Sequence, residues 1–169
     1  SSTEIRICDD NGNDIELGKP GEICIRGPQV MVGYWNNPEE TKKVMFDDGW
    51  FRTGDIGRMD EKGFVFIEDR KKDMIIVSGF NVFPNEIEGV VANMEGILET
   101  AAIGMPSEKS GEAIKLFVVR NNESITEEDI INYCRKNLTP YKIPKKIVFK
   151  QELPKTNVGK ILRRALRDS

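Results

Sequence analysis

Not one histidine occurs among the 169 residues of this chain. That absence removes Ser-His and Cys-His nucleophile pairs together with the commonest zinc ligand. Cysteine is nearly as scarce: Cys8, Cys24 and Cys134 are widely spaced and odd in number. Neither a disulfide framework nor a Cys-x-x-Cys metal clip is available from them, and they read as small buried hydrophobes. No apolar run reaches the ~18 residues needed to span a bilayer and no secretory signal opens the chain, so the sequence reads as soluble and cytoplasmic. No Gly-x-Gly-x-x-Gly fingerprint of a dinucleotide fold is present. Gly159-Lys160 fails as a phosphate loop, because Pro154 stands where that loop needs glycine and Ile161 where a magnesium-binding hydroxyl should follow. Asp9, Asn11 and Asn13 have calcium-loop spacing, yet Asp14 replaces the turn glycine and Pro20 the closing glutamate, which leaves a polar hairpin turn. The remaining chemistry is that of lysine, arginine and carboxylates.

What is present is globular: 38% of the residues are hydrophobic and 31% charged, in a length that suits one ordinary domain or two small ones. The net charge of −3 argues against a general nucleic-acid binder, although Lys142, Lys145, Lys146, Lys150, Lys155, Lys160, Arg163, Arg164 and Arg167 gather in the last third. That local bias suits a single anionic ligand. With only Tyr141 and Phe149 near the basic cluster, base-stacking platforms are poorly supplied.

The patterning changes character near Arg70. Before it, Ile5 and Ile7, then Ile23 and Ile25, alternate with polar residues, and turn residues intervene at Asp10-Asn11-Gly12-Asn13 and Gly27-Pro28. These are short strands of the kind that build barrels. Asn37-Pro38-Glu39-Glu40 opens a short helix through Met45, Trp50 to Asp55 is strand and loop, and Phe64 to Ile67 is a further strand. After Arg70, strands and helices alternate: strand at 74–77, helix at 84–94, strand from Ile97 to a stop at Pro106, strand at 113–119, then a capping box at Thr126 to Asp129 leading an amphipathic helix. A strand at 147–149 and a helix at 160–167 finish the chain. The fold class is α+β: short barrel-like strands followed by a small α+β domain of roughly 95 residues.

Six segments stand in a fixed order: Gly21-Glu22-Ile23-Cys24-Ile25-Arg26-Gly27, Gly33-Tyr34-Trp35-Asn36-Asn37-Pro38-Glu39-Glu40-Thr41, Trp50-Phe51-Arg52-Thr53-Gly54-Asp55, Asp69-Arg70-Lys71-Lys72-Asp73-Met74-Ile75, Ser78 to Glu88, and Pro154-Lys155-Thr156-Asn157-Val158-Gly159-Lys160. In that order they resemble the C-terminal portion of the adenylate-forming superfamily of acyl-CoA synthetases, luciferases and peptide-synthetase adenylation domains, and most of all bacterial long-chain fatty-acid-CoA ligases. The family's Ser/Thr/Gly-rich phosphate loop and Tyr-Gly-x-Thr-Glu segment, which hold triphosphate, adenine and magnesium, are not in this sequence. The resemblance therefore implies a C-terminal fragment. Residues 1–70 would be the β-rich tail of the large ATP- and acyl-binding domain, and residues 71–169 the small mobile domain.

The same resemblance implies roles at matching positions. Asp55 matches the carboxylate that accepts hydrogen bonds from both ribose hydroxyls of ATP, and Arg70 the junction arginine that also reaches the ribose. Lys72 matches the hinge whose backbone absorbs the rotation between two catalytic conformations. Lys160 matches the lysine that neutralises charge developing at the α-phosphate, a task suited to a compact ammonium on a flexible stem. Gly79, Phe80 and Asn81 match the loop that lines the coenzyme A channel once that lysine has withdrawn. The implied reaction is ATP-dependent activation of a long-chain fatty acid to an acyl-adenylate, then transfer to coenzyme A. A carrier-protein-loading adenylation domain and a non-catalytic module for an anionic partner stay open. Implied partners are fatty acid, ATP, Mg2+ held mostly by the absent large domain, coenzyme A and that domain itself, with no nucleic acid and with peripheral association at the inner membrane face allowed.

Overall fold

The computed structural model describes residues 2–167, and these divide into two compact units, the first ending at Lys72 and the second beginning at Asp73. The first is a four-stranded antiparallel sheet in sequential order, built from β1 (Glu4–Cys8), β2 (Gly21–Arg26), β3 (Phe51–Met59) and β4 (Val65–Arg70). β1 and β4 are its two edges, so the sheet is open, and the barrel-like expectation is corrected to a meander. A short helix, α1 (Pro38–Val44), enters between β2 and β3; Asn37 caps it by accepting from the Glu40 amide, and Pro38 occupies its first turn. Cys8, Cys24 and Trp50 form the small core, with Phe46 against them.

The ladder of this sheet is irregular in two places. Between β2 and β3, Glu22 pairs with Ile56 and Cys24 with Arg52, so Thr53, Gly54 and Asp55 stand opposite Ile23 alone. Between β3 and β4, Asp55 pairs with Arg70 and Ile56 with Asp69, but Gly57 already pairs with Ile67, which leaves Glu68 as an extra residue. Such bulges twist a strand and re-aim its side chains.

The second unit is a five-stranded sheet. β5 (Ile75–Val77), β6 (Phe80–Val82), β7 (Ile97–Ser107) and β8 (Gly111–Arg120) run in the order β6-β5-β8-β7, while β9 (Lys146–Phe149) pairs parallel with β8. β8 buries both of its faces. Ile114, Leu116 and Val118 join one core with Ile87 and Val91 of α2 (Pro84–Ala92) and Ile130 and Cys134 of α3 (Glu127–Asn137). Phe117 and Val119 point the other way, into a core with Ala101, Ile103, Leu153 and Leu166. That alternation is the period-two pattern of a strand covered on both sides. Leu166 belongs to α4 (Arg163–Arg167), which is thereby seated on the sheet.

Local sequence explains most of these boundaries. Thr126 accepts from the Asp129 amide while the Asp129 carboxylate accepts from the Thr126 amide, completing the expected capping box of α3. Pro106 does not stop its strand, because β7 is an edge that needs hydrogen bonds on one side only and continues to Ser107. The final helix begins at Arg163 instead of Lys160. A tight turn closed by Gly159 N–H to Thr156 O at 2.9 Å and Thr156 N–H to Lys160 O at 2.7 Å precedes it. No helix among the described residues is long and apolar enough to cross a membrane.

Candidate functional site

In the first unit, an open cleft of about 490 Å³ is lined by Thr53, Gly54, Asp55, Arg70, Lys71 and Lys72. The bulge on β3 makes it. Gly54 sits at φ +75°, a conformation that suits glycine, and a Cβ there would meet nothing, so the backbone angle alone accounts for the residue. Thr53 fastens the turn on both sides: its Oγ1 donates to Ile23 O at 2.8 Å and accepts from the Asp55 amide at 3.1 Å. Asp55 and Arg70 are direct partners across the β3–β4 ladder, with Arg70 Nε 3.7 Å from Asp55 Oδ1. Two residues separated by 15 positions in sequence are thus brought to one spot, where a carboxylate and a guanidinium fork together can bind a polyhydroxyl or phosphorylated ligand. Lys72 follows, itself exposed, in the 3₁₀ turn Lys71–Asp73.

Behind the cleft lies Glu22, only 4% exposed. Burial alone would raise its pKa, but hydrogen bonds and charge from Lys71 and Arg52 outweigh that and hold the carboxyl below its usual value. Lys71 shows the complementary effect: desolvation works against its charge, yet hydrogen bonds to Asp10 and Glu22 raise its pKa. Sequence reasoning assigned no role to Glu22, Arg52 or Lys71. The signal was weak, since Glu22 falls on the polar side of the Ile23 and Ile25 alternation and only Cys24, on the same strand face, hints at burial there.

The second unit carries the other candidates. Lys160 is exposed and sits at the end of the Thr156–Lys160 turn, where Gly159 at φ +80° permits the reversal and the Lys160 amide donates to Thr156 Oγ1 at 3.2 Å. Among the described residues its ammonium makes no ion pair. Four of its eight basic neighbours in the last third do: Lys142 meets Glu86, Lys155 meets Glu99, Arg163 meets Glu88 and Asp73, and Arg167 meets Asp73. The local basic bias is therefore neutralised in part inside the unit.

Gly79, Phe80 and Asn81, expected as a loop, form a tight hairpin instead. Val77 pairs with Phe80, and Ser78 and Gly79 between them both have positive φ, at 52° and 83°, so Phe80 and Asn81 stand on β6. Phe80 stacks on Tyr141 at 4.7 Å between ring centroids. Beside this turn, a pocket of about 690 Å³ is lined by residues including Ser78, Tyr141, Lys109 and Lys145. No cluster of three or more metal-ligating side chains occurs among the described residues.

The family model for the AMP-binding enzyme C-terminal domain matches residues 86–160, and that for AMP-binding enzymes matches residues 1–35. A long-chain-fatty-acid–CoA ligase of Yersinia pestis is 62% identical over 99% of this chain, which spans 30% of that relative's length. Among solved structures, ATP-bound MatB from Rhodopseudomonas palustris superposes with a TM-score of 0.94 at 39% identity, over 99% of this chain and 34% of its own. The o-succinylbenzoate CoA synthetase MenE from Bacillus subtilis, in complex with its acyl-adenylate intermediate, gives 0.89 at 34% identity, over 99% and 34%. The chain belongs to the AMP-binding, adenylate-forming enzymes, and its second unit carries their C-terminal domain.

Proposed function

We propose that this chain is the C-terminal third of an ATP-dependent long-chain fatty-acid–CoA ligase that forms AMP. The observation that carries the reading is its 62% identity, over 99% of the chain, to a long-chain-fatty-acid–CoA ligase. In the first half-reaction a carboxylate oxygen of the fatty acid attacks the α-phosphorus of ATP, and the bond to pyrophosphate breaks. Asp55 accepts hydrogen bonds from the ribose hydroxyls, and Arg70, held opposite it on β4, presents donors to the same sugar. Lys160 supplies a mobile positive charge for the α-phosphate as pyrophosphate departs. In the second half-reaction the coenzyme A thiolate attacks the acyl carbonyl and AMP leaves.

Lys72 is the residue at which the backbone changes between the two half-reactions, and a 3₁₀ turn of three residues is short enough to be redirected by a few dihedral changes. The hairpin at Gly79, Phe80 and Asn81 borders the thiol's approach, and Lys109 and Lys145 in the adjoining pocket suit the phosphates of coenzyme A. The described residues offer no cage for magnesium, which would arrive with the nucleotide phosphates and be held elsewhere. The chain by itself does not catalyse adenylation on this reading.

The test uses the full-length protein, supplied in turn with fatty acids of graded length, ATP, and either coenzyme A or a carrier-protein phosphopantetheine as acceptor. Fatty-acid-dependent ATP–pyrophosphate exchange followed by acyl-CoA formation is expected. Exchange without transfer to coenzyme A would refute the ligase assignment.

A further inference from the structure

The buried carboxylate of Glu22 divides its contacts between a backbone amide and two cations. One of its oxygens, Oε1, accepts from the Gly54 amide at 3.1 Å. The other, Oε2, accepts from Arg52 Nε at 3.1 Å, Arg52 Nη2 at 2.9 Å and Lys71 Nζ at 2.9 Å. The first contact lies where the β2–β3 ladder has slipped: three β3 residues face Ile23, and the Gly54 N–H turns to a side chain instead of the neighbouring strand. The next residue along is Asp55.

We infer that Glu22 is the positioning residue of the nucleotide cleft, fixing the Thr53-Gly54-Asp55 turn so that the Asp55 carboxylate meets the ribose hydroxyls in one orientation. The inference rests on the ribose reading of Asp55. The physical reason is the rigidity of the support. A bulge that leaves three residues without a regular ladder has several backbone conformations available, and a charge-assisted hydrogen bond donated to a buried acceptor selects one of them. Arg52 and Lys71 keep that acceptor ionised and locked from two further directions, and Arg52 is itself the residue that precedes the turn. Exposed Asp10 also accepts from Lys71 and lies 3.9 Å from Arg52, so the two cations are shared between one buried and one solvated acid. Of these two acids, Glu22 is the one that bonds to the turn bearing Asp55. Glu22 itself stays out of reach of any ligand, acting through Gly54.

The experiment measures ATP–pyrophosphate exchange in the full-length ligase with ATP and with 2′-deoxy-ATP, for wild type, Asp55→Ala and Glu22→Gln. Asp55→Ala is expected to abolish the preference for ATP. Glu22→Gln leaves Asp55 in place and is expected to lower the preference roughly 10-fold, the order of one lost charge-assisted hydrogen bond. A purely structural role would reduce the amount of folded enzyme and leave the preference intact. A wild-type preference in Glu22→Gln beside a lost preference in Asp55→Ala overturns the role of Glu22 and spares the ribose reading. An Asp55→Ala enzyme that keeps its preference removes both. Where Glu22→Gln fails to fold, Glu22→Asp replaces it: the charge between Arg52 and Lys71 is retained while the carboxylate is drawn back from Gly54. A reduced preference then supports the proposal and an unchanged one overturns it.

Discussion

Arg163 and Glu88 are 75 positions apart in sequence and meet through Nη2 and Oε2 at 2.8 Å, with their side chains 17% and 14% exposed. The contact joins α4, which follows the Lys160 turn, to α2. Glu88 also accepts from the Ala102 amide of β7 at 2.8 Å, and Arg163 reaches Asn85 at 2.8 Å. Removing one partner of a mostly buried pair strands the other, so Arg163→Met should cost about 2 to 4 kcal/mol of local stability. Hydrogen exchange across α2, β7 and α4 measures it. A double variant with Glu88→Gln should lose less than the sum of the two single changes, since both remove the same interaction. Additive losses would show that the pair is not coupled.

Lys160 stands on a turn whose shape is set by Gly159 and the Thr156 contacts, so its ammonium can be removed without disturbing the fold. In the full-length protein, on the proposed ligase function, Lys160→Ala should slow adenylate formation by roughly 100-fold or more, the scale for losing one group that stabilises developing charge. Thioester formation from supplied acyl-adenylate should be spared. Equal loss in both half-reactions, read by rapid quench, would exclude the role.

The ionic cluster behind the cleft predicts a pH dependence with a definite sign. Glu22 has a folded-state pKa below its ordinary value of 4.5, so its contribution is present above pH 4.5 and is lost as pH falls through the lowered value. Lys71 is shifted up from 10.5, so its contribution holds below pH 10.5 and is lost as pH rises through the raised value. Glu22→Gln should therefore be less stable than wild type at pH 7, and the gap should narrow below pH 4.5. Urea midpoints from neutral pH down into the acid range decide the matter; a constant gap would contradict it.

The thiols should be inert in the folded chain. Cys8, Cys24 and Cys134 are all free and buried. Burial pushes the Cys134 thiol up to about 11, and burial, aided by a hydrogen bond with Cys8, raises that of Cys24 further. Reaction with an aromatic disulfide reagent at mildly alkaline pH should be slow until denaturant is added, after which all three thiols react. Labelling of the native chain at the denatured rate would show that these cores open readily.

Residue order alone made several features legible. Alternation at Ile5, Ile7, Ile23 and Ile25, the Asn37-Pro38 helix start and the Thr126–Asp129 capping box are local interactions between residues a few positions apart, and each appears where the pattern placed it. The ordered motifs likewise carried the family. What needed the folded chain was every relationship between strands. Nothing in the spacing of Asp55 and Arg70 says that they are ladder partners, because the β3 and β4 bulges set that register. Openness of the first sheet, passage of a strand through Pro106 and the delayed start of α4 were decided in the same way, by edge position and by a turn that took the residues a helix would have used. Glu22 is the clearest case. Its identity is plain in the sequence, but its purpose depends on Arg52, Gly54 and Lys71 converging from 30 to 49 positions away, and only tertiary packing brings together groups with no sequence pattern between them.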